Sequence, residues 1–393
     1  MASGVTAADA AALFAGHRLR LARQLAGMRK SDLAQLLGKS ATALSGWEAE
    51  TKRPSPATVA ELALSLGVDP GFFMVGRAEP AVAATPHFRS LRSTTQIVRD
   101  QATAYGQLAV DVAAAMERHV EFPDVTIPHF PVSADDADGV EPEDAARFVR
   151  KQWGLANGPV GHLVRLLENH GVVVVFSPPG AVSVDAYSFE GSCRPAVILN
   201  PFKQDYYRQR FDVAHELGHL VMHQDAEPGG RTVEDQANRF AAEFLMPESD
   251  IRGSLPKAMS RSVWTSVGQL KERFGVSMQA ILFHARRLGE LSDVSYRNAM
   301  MTVSARGWRR SEPGLVDSVE QPSMLPRAVE ILAEAGISEL ELISQSRVPV
   351  ELFRQVVSRF PTEPHFSDAS AETGSHLAPV VSLMEAGGGG ARL

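Results

Sequence analysis

Apolar residues recur every three or four positions along residues 17–76, in short runs that end at a glycine or begin at a capping residue. This spacing predicts four or five short helices rather than strands. Ser55 and Pro56 supply an N-cap and a first-turn proline for one of these helices. We therefore expect a compact all-helical bundle over residues 17–76, preceded by a disordered N-terminus over residues 1–16.

The pattern changes over residues 77–142. An Ala- and Pro-rich stretch comes first, then the helical spacing of residues 94–120, and last a Pro-rich segment with an acidic tract. This order predicts a linker, a long connecting helix and a surface loop.

From about residue 143 short β-branched and aromatic runs appear between helical segments. They lie at residues 172–176, 184–189 and 196–199, separated by Gly and Pro, which is typical of a small sheet. The fold class is therefore multidomain and mainly α, with an α+β domain after the N-terminal bundle. Its parts are predicted at residues 143–260 for the α+β domain, 261–292 for a helix-turn-helix-like extension, 293–360 for a helical C-terminal region and 361–393 for a disordered tail.

Composition limits the classes of protein to which the chain can belong. The apolar fraction of 44% and the charged fraction of 22% are those of a globular protein, and no run of eighteen apolar residues could span a membrane. The N-terminus lacks the basic and apolar regions of a secretory signal. Cys193 is the single cysteine, so no intramolecular disulfide is possible. We expect a cytoplasmic protein with no membrane partner.

Charge is distributed unevenly along the chain. The net charge is −7, yet residues 17–77 contain nine Lys or Arg against five Asp or Glu, a local charge of +4. A basic segment in an acidic chain indicates a surface that meets nucleic acid.

The segment His215-Glu216-Leu217-Gly218-His219 has the spacing of a metal site. Residues four apart lie on one face of a helix, so the two imidazoles can share a metal while Glu216 lies beside it as a general base. A second amphipathic segment carries Glu234 as a third ligand. Three protein ligands leave one position for water, which predicts one catalytic Zn²⁺. The alternative is that both histidines are surface residues of an ordinary helix.

Two further residues near this motif have secondary roles. Asn238 follows Glu234 by one helical turn and could hold a ligand imidazole, although an Asn that caps a backbone group is an equal alternative. His223 extends the histidine row by a turn, about 6 Å along the axis. We expect it to pack or to support the site rather than to bind the same metal.

Two motifs carry a resemblance to a known family. Residues 210–223 read RFDVAHELGHLVMH and residues 234–247 read EDQANRFAAEFLMP. Together they resemble the ImmA/IrrE metallopeptidases, and the likeness covers roughly residues 143–290. It implies a zincin-like, gluzincin-type fold, Glu234 as third ligand, and a bacterial or phage-borne zinc endopeptidase that cuts a partner repressor. The residue that stabilises the oxyanion is open; the candidates are Tyr187, Tyr206 and Tyr207.

Residues 33–48 read LAQLLGKSATALSGWE, which is a helix, a Gly turn and a second helix capped by Ser40. This segment is similar to the XRE (Cro/C1-type) repressors, and residues 53–56 continue the likeness. The resemblance implies that the second helix enters the major groove of a double-stranded operator, bound as a homodimer. Base edges would then meet Ala41, Thr42 and Ser45, and phosphates would meet Ser40, Lys52 and Arg53.

Several features of this segment depart from the family or leave alternatives. Lys30 stands where the family often has Gln, and Lys39 replaces an apolar residue, so the operator sequence is open. Trp47 falls on the apolar face and is expected in the core. The competing interpretation is a small helical bundle that contains a Gly turn. A second Gly-turn unit over residues 271–289 is expected to pack against the peptidase-like domain rather than to bind DNA.

The two motifs together predict a DNA-binding transcriptional regulator whose zinc endopeptidase domain cleaves a repressor or another regulator protein in a stress or mobile-element response. A second hypothesis is a regulator in which the peptidase-like domain senses a metabolite and does not cleave. A third is an antitoxin or phage immunity repressor. The basic cluster at residues 305–310 could touch DNA, but a surface turn anchored by Trp308 is the preferred interpretation.

Overall fold

The computed structural model describes residues 5–74, 87–88, 95–133, 139–178, 186–191, 193–200, 205–223, 230–314 and 318–360. This part of the chain is mostly helical, as predicted, and the predicted disordered tail lies outside it. The α-helices are α1 (Ala7–Ala12), α2 (Gly16–Leu25), α3 (Lys30–Leu36), α4 (Ala41–Glu48), α5 (Pro56–Leu66), α6 (Gln96–Met116), α7 (Pro142–Gln152), α8 (Leu163–Asn169), α9 (Tyr206–Met222), α10 (Arg231–Leu245), α11 (Glu248–Ile251), α12 (Val263–Phe274), α13 (Met278–Arg287), α14 (Asp293–Ala305), α15 (Met324–Glu334), α16 (Glu339–Ser346) and α17 (Val350–Val356).

Helices α1 to α5 form the N-terminal bundle around a small apolar core. The hydroxyl of Ser40 accepts a hydrogen bond from the Ala43 N–H and begins α4, and Ser55 begins α5 in the same way. Gly67 ends α5 in the left-handed region, at φ +64°. The core contains Leu19, Leu33, Leu44, Leu62 and Phe73.

The sequence predicts disorder over residues 1–16, whereas the described part of this stretch, from residue 5 onward, contains helix α1. Thr6 and Asp9 cap the helix reciprocally, and α1 packs against α5. Ala10 and Phe14 are buried in the core of the bundle. Tertiary burial orders a segment whose Ala-rich composition has no clear amphipathic pattern.

The sheet contains four strands in the order β1-β3-β4-β2. Strands β2 and β4 are parallel, and the other two pairs are antiparallel. The three predicted runs correspond to β2, β3 and β4, while β1 was expected to be linker. A two-residue strand has no alternating pattern that a sequence could reveal. The bounds are β1 (His87–Phe88), β2 (Val173–Phe176), β3 (Ala186–Glu190) and β4 (Pro195–Leu199).

Helices cover both faces of the sheet. Val174, Ala186 and Val197 belong to the apolar core that includes α9 and α10, whereas Val175 and Ile198 face the core built from α6 and the helices α15 to α17. Burial on both faces explains why the strands read as continuous apolar runs.

Helix α6 is the predicted connecting helix, and it contacts both the sheet and the N-terminal bundle. Arg18 Nη1 lies 2.8 Å from Asp111 Oδ2, and both side chains are nearly buried. Gln101 Nε2 donates to the Leu25 carbonyl oxygen over 2.9 Å. These contacts attach the N-terminal bundle to α6, which covers the face of the sheet opposite α9.

The second Gly-turn unit, α12 and α13, packs against the domain that contains the metal motif, as predicted. Val267, Phe274 and Ile281 lie in the same apolar core as α9 and α10. The predicted surface turn near Trp308 is also present, since this ring packs edge to face on Trp264, at 5.2 Å between centroids. Within the described ranges, no helix is both long enough and apolar enough to cross a membrane.

Candidate metal centre and helix-turn-helix surface

Two crossing helices, α9 and α10, carry the predicted ligands. The Asp205 carboxylate accepts hydrogen bonds from the Tyr207 and Arg208 N–H groups and begins α9. Gly218 lies at the crossing, where an added Cβ would be 3.0 Å from a ring carbon of Phe240. The absence of a side chain there lets α10 approach α9 closely enough for Glu234 to reach the histidines.

The structure brings His215, His219 and Glu234 together, with one ligand atom of each within 4.8 Å of the others. The Nε2 atoms of the two histidines are 3.0 Å apart. The Glu234 oxygens lie 3.4 Å from His215 Nε2 and 3.6 Å from His219 Nε2. Ligand atoms about 2.1 Å from a tetrahedral zinc ion are about 3.4 Å from one another, so this spacing fits such an ion.

The hydrogen bonding at these atoms also fits a cation. Both carboxylate oxygens of Glu234 are buried and accept no hydrogen bond from the described residues. A buried carboxylate without a donor is costly unless a positive charge compensates it. Both imidazoles are fully buried, and their Nε2 atoms face the same point as the carboxylate. Three converging electron-pair donors are therefore available to a metal.

His215 is oriented by the residue predicted to support it. Its Nδ1 lies 3.1 Å from Asn238 Oδ1. An amide oxygen only accepts hydrogen bonds, so Nδ1 carries the proton and Nε2 keeps its lone pair toward Glu234. Asn238 thus contacts an imidazole rather than capping a helix end.

His219 is oriented by a longer chain of hydrogen bonds. Its Nδ1 lies 3.0 Å from His223 Nδ1, and His223 Nε2 lies 3.0 Å from Gln236 Oε1. Gln236 Nε2 donates to the Ser133 carbonyl oxygen over 2.8 Å, which fixes the amide. Because the Gln236 oxygen accepts from His223 Nε2, His223 Nδ1 accepts from His219, whose Nε2 keeps its lone pair for a metal. His223 thus contacts His219 and lies outside the cluster of His215, His219 and Glu234, in keeping with the expectation that it would not bind the same metal.

The His223→Phe variant should bind zinc about tenfold more weakly than the unmodified protein, because the phenyl ring cannot accept the hydrogen bond that orients His219. Competition with a chromophoric chelator measures the dissociation constant. Gln236→Leu, which removes the hydrogen-bond acceptor of His223, should also weaken zinc binding. His129→Phe, at an exposed histidine, is the control. Equal affinities for His223→Phe and His129→Phe would contradict this account.

Glu216 lies between the two histidines in sequence and is 1% exposed. The Ser188 hydroxyl on β3 donates to its Oε2 over 2.6 Å. Ser188 was not among the residues predicted from the sequence. The signal in the sequence was a small polar residue between Tyr187 and Phe189, in a strand whose other polar residue, Glu190, is exposed at its end.

The tyrosine candidates for the oxyanion lie elsewhere. The Tyr187 hydroxyl donates to the Ala102 carbonyl oxygen over 2.7 Å, on the sheet face opposite α9, and burial raises its pKa well above the usual value. Tyr206 and Tyr207 begin α9, about 12 Å along the helix axis from His215. The Tyr207 ring contacts the Lys271 ammonium, at 4.3 Å from its centroid. The structure therefore places none of the three beside the ligand set.

The predicted DNA contacts lie at the start of α4, in its middle and just after its end. Ser40, Ala41, Thr42, Lys52 and Arg53 are exposed and Ser45 is half-buried. Trp47 is 8% exposed and belongs to the bundle core, which confirms the prediction for this residue.

Some of the Lys and Arg residues that make the bundle basic form ion pairs within it. Glu48 is buried and pairs with Arg23 at 2.6 Å and with Lys30 at 3.1 Å. Lys39 lies 3.6 Å from Glu61. The two lysines that depart from the family pattern thus have intramolecular partners. Lys52 and Arg53 are the predicted phosphate contacts on the α4 side, although Arg53 Nη1 also donates to the Ala12 carbonyl oxygen over 2.9 Å.

Comparison with known families agrees with this arrangement. Residues 19–73 match the helix-turn-helix family, and residues 167–286 match the family described as the IrrE N-terminal-like domain. The second match runs from α8 into α13 and contains both metal motifs. No curated protein matches the chain. The two matches occur in the order that the sequence resemblance predicted.

Proposed function

Because this chain joins a helix-turn-helix domain to an IrrE N-terminal-like domain, we propose that it is a DNA-binding transcriptional regulator with zinc-dependent endopeptidase activity. The observation that carries the proposal is the convergence of His215, His219 and Glu234, with both carboxylate oxygens buried and without a hydrogen-bond donor in the part of the chain that the structure describes. Structural zinc sites have four protein ligands, whereas catalytic sites have three and an open position.

The residues of the site have distinct roles in this proposal. His215, His219 and Glu234 would hold the zinc ion, which when bound supplies a Lewis acid that polarises the peptide carbonyl and makes water more acidic. Glu216 takes a proton from the attacking water and delivers it to the nitrogen of the leaving amine as the C–N bond breaks. Asn238 and His223 keep the ligand imidazoles in orientation. Burial around Glu216 excludes bulk water and strengthens these interactions.

The proposed substrate is a repressor or another regulator protein. A peptidase attached to a DNA-binding domain has a high effective concentration near proteins bound to the same operator. The test is to incubate the zinc-loaded protein with helix-turn-helix regulators encoded beside it, and to repeat the reaction after chelation. Cleavage that requires zinc supports the proposal. Absence of cleavage together with operator binding that depends on a small molecule would favour the sensor hypothesis instead.

The DNA interface follows from the same bundle. We place α4 in the major groove, where Ala41, Thr42 and Ser45 meet base edges, and assign phosphate contacts to Ser40, Lys52 and Arg53. Two such domains in a homodimer would reach half-sites about 34 Å apart. Sedimentation of the protein with and without duplex DNA tests the stoichiometry.

The Lys52→Ala variant should weaken binding to a random-sequence duplex and lower the magnitude of the salt slope, d log K/d log [salt], by about 1, because one phosphate contact is lost. Fluorescence anisotropy at several salt concentrations measures both quantities. Lys257→Ala removes a charge from the IrrE-like part of the chain, at a side chain that is 78% exposed, and is the matched control. An unchanged slope for Lys52→Ala would remove this residue from the interface.

A further inference from the structure

Ser188 lies on the face of β3 that meets α9, and its side chain is fully buried. Its hydroxyl donates to Glu216 Oε2 over 2.6 Å and lies 3.4 Å from the Glu216 carbonyl oxygen. From this geometry we infer that Ser188 positions the Glu216 carboxylate for proton transfer. The inference rests on the proposed function, because it assigns Ser188 a role in the same reaction.

Glu216 requires such a partner for a physical reason. Its side chain has three rotatable bonds, and a buried carboxylate without hydrogen bonds is strongly disfavoured. A proton carrier must also be held within a few tenths of an ångström of its productive position. A short hydroxyl–carboxylate bond satisfies both requirements, since bonds of this kind are among the stronger hydrogen bonds in proteins.

The donor itself is held firmly. Residue 188 pairs with Val197 of β4 on one side and with position 87 of β1 on the other. The preceding residue, Tyr187, is anchored to α6 by the hydrogen bond from its hydroxyl to the Ala102 carbonyl oxygen. A serine side chain then has one heavy-atom torsion left, so its oxygen has few alternative positions. The sheet therefore presents a rigid donor to a flexible acceptor.

The competing explanation is that the hydroxyl only fills a buried polar position. The chain contains a matched control for this possibility. Ser177 follows β2, is 5% exposed, and has a buried hydroxyl with no hydrogen-bond partner among the described residues. Replacing it by Ala removes a buried serine hydroxyl from the same sheet without touching Glu216. Any difference between the two alanine variants then reports the contact with the carboxylate.

The experiment compares the variants Ser188→Ala, Ser188→Thr and Ser177→Ala with the unmodified full-length zinc protein. Fluorescently labelled β-casein is the substrate probe, and kcat and KM are determined separately. Ser188→Ala should lower kcat about tenfold and change KM less than twofold, because orientation acts on proton transfer and not on substrate binding. Ser188→Thr keeps the hydroxyl and should recover kcat to within about threefold. Ser177→Ala should match the unmodified protein.

A second readout does not depend on turnover. Acetohydroxamic acid chelates zinc and also donates a hydrogen bond to a neighbouring carboxylate, so calorimetry of its binding reports the position of Glu216. Ser188→Ala and Glu216→Gln should both weaken this binding several-fold, and Ser177→Ala should not. If neither casein nor the neighbouring regulators are cleaved but this binding pattern holds, the proposed endopeptidase activity fails and the positioning of the Glu216 carboxylate by Ser188 stands.

The inference would be overturned if Ser188→Ala had the same kcat and the same hydroxamate affinity as Ser177→Ala. If Ser188→Ala does not fold, as judged by circular dichroism, Ser188→Cys provides the test, because its thiol is of similar size and a weak donor. Reduced kcat and hydroxamate affinity in the Cys variant support the inference, and unchanged values of both contradict it.

Discussion

The Glu216→Gln variant is expected to bind zinc normally and to lose peptide cleavage by a factor of about 10² to 10⁴. Glutamine has nearly the shape of glutamate, and its amide oxygen can still accept the hydrogen bond from Ser188. It cannot take up a proton from water, however, and general base catalysis contributes a factor of this size. The three proposed ligands are untouched by the change.

The measurement is the rate of cleavage of the natural regulator substrate, or of labelled β-casein, at equal zinc content. Asp235→Asn is the control, because it removes the same charge from an exposed position next to Glu234. It should cleave at the rate of the unmodified protein. Cleavage by Glu216→Gln at an undiminished rate would show that the segment from His215 to His219 is not the source of the activity.

The same variant separates the two functional hypotheses. If the peptidase acts on a regulator, Glu216→Gln should leave DNA binding intact but abolish the response to the inducing signal. If the domain only senses a metabolite, repression and its relief should both be unchanged in the variant. A reporter gene under the operator of the protein distinguishes these outcomes.

The Arg210→Met variant is expected to lose about 3–5 kcal/mol of stability, because it breaks a buried ion pair. Arg210 is 1% exposed. Its guanidinium donates to the carbonyl oxygens of Val160, Gly161 and Gly275, and it pairs with the buried carboxylate of Glu320. Methionine fills the space but removes the guanidinium from the buried Glu320 carboxylate, which keeps the Val164 N–H, and leaves three carbonyl groups without this donor.

Chemical denaturation followed by tryptophan fluorescence measures this loss. Arg208→Met, on the same helix but one-third exposed, should change stability by less than about 1 kcal/mol. The double variant Arg210→Met/Glu320→Leu should recover part of the loss, because it no longer buries the Glu320 carboxylate without its guanidinium. A single Arg210→Met variant as stable as Arg208→Met would contradict the assigned role of this network.

Much of the fold could be predicted because the responsible interactions are local. Hydrophobic periodicity and capping by Ser40 and Ser55 depend on residues a few positions apart, so they are visible in the sequence. The pairing of His215 with His219 is local for the same reason, since one helical turn separates them. The sequence by itself thus determined helices α2 to α5, the apolar runs that become β2 to β4, and the histidine pair.

The tertiary structure decided what depends on residues far apart in sequence. Ser188 and Tyr187 are neighbours in sequence but lie on opposite faces of β3. The face that meets α9 places Ser188 beside Glu216, and the other face directs Tyr187 toward α6. Packing against α5 orders α1, and pairing with β3 makes a strand of residues 87–88. The physical reason is that a strand alternates its side chains between two faces, and only the completed packing of layers determines what each face meets.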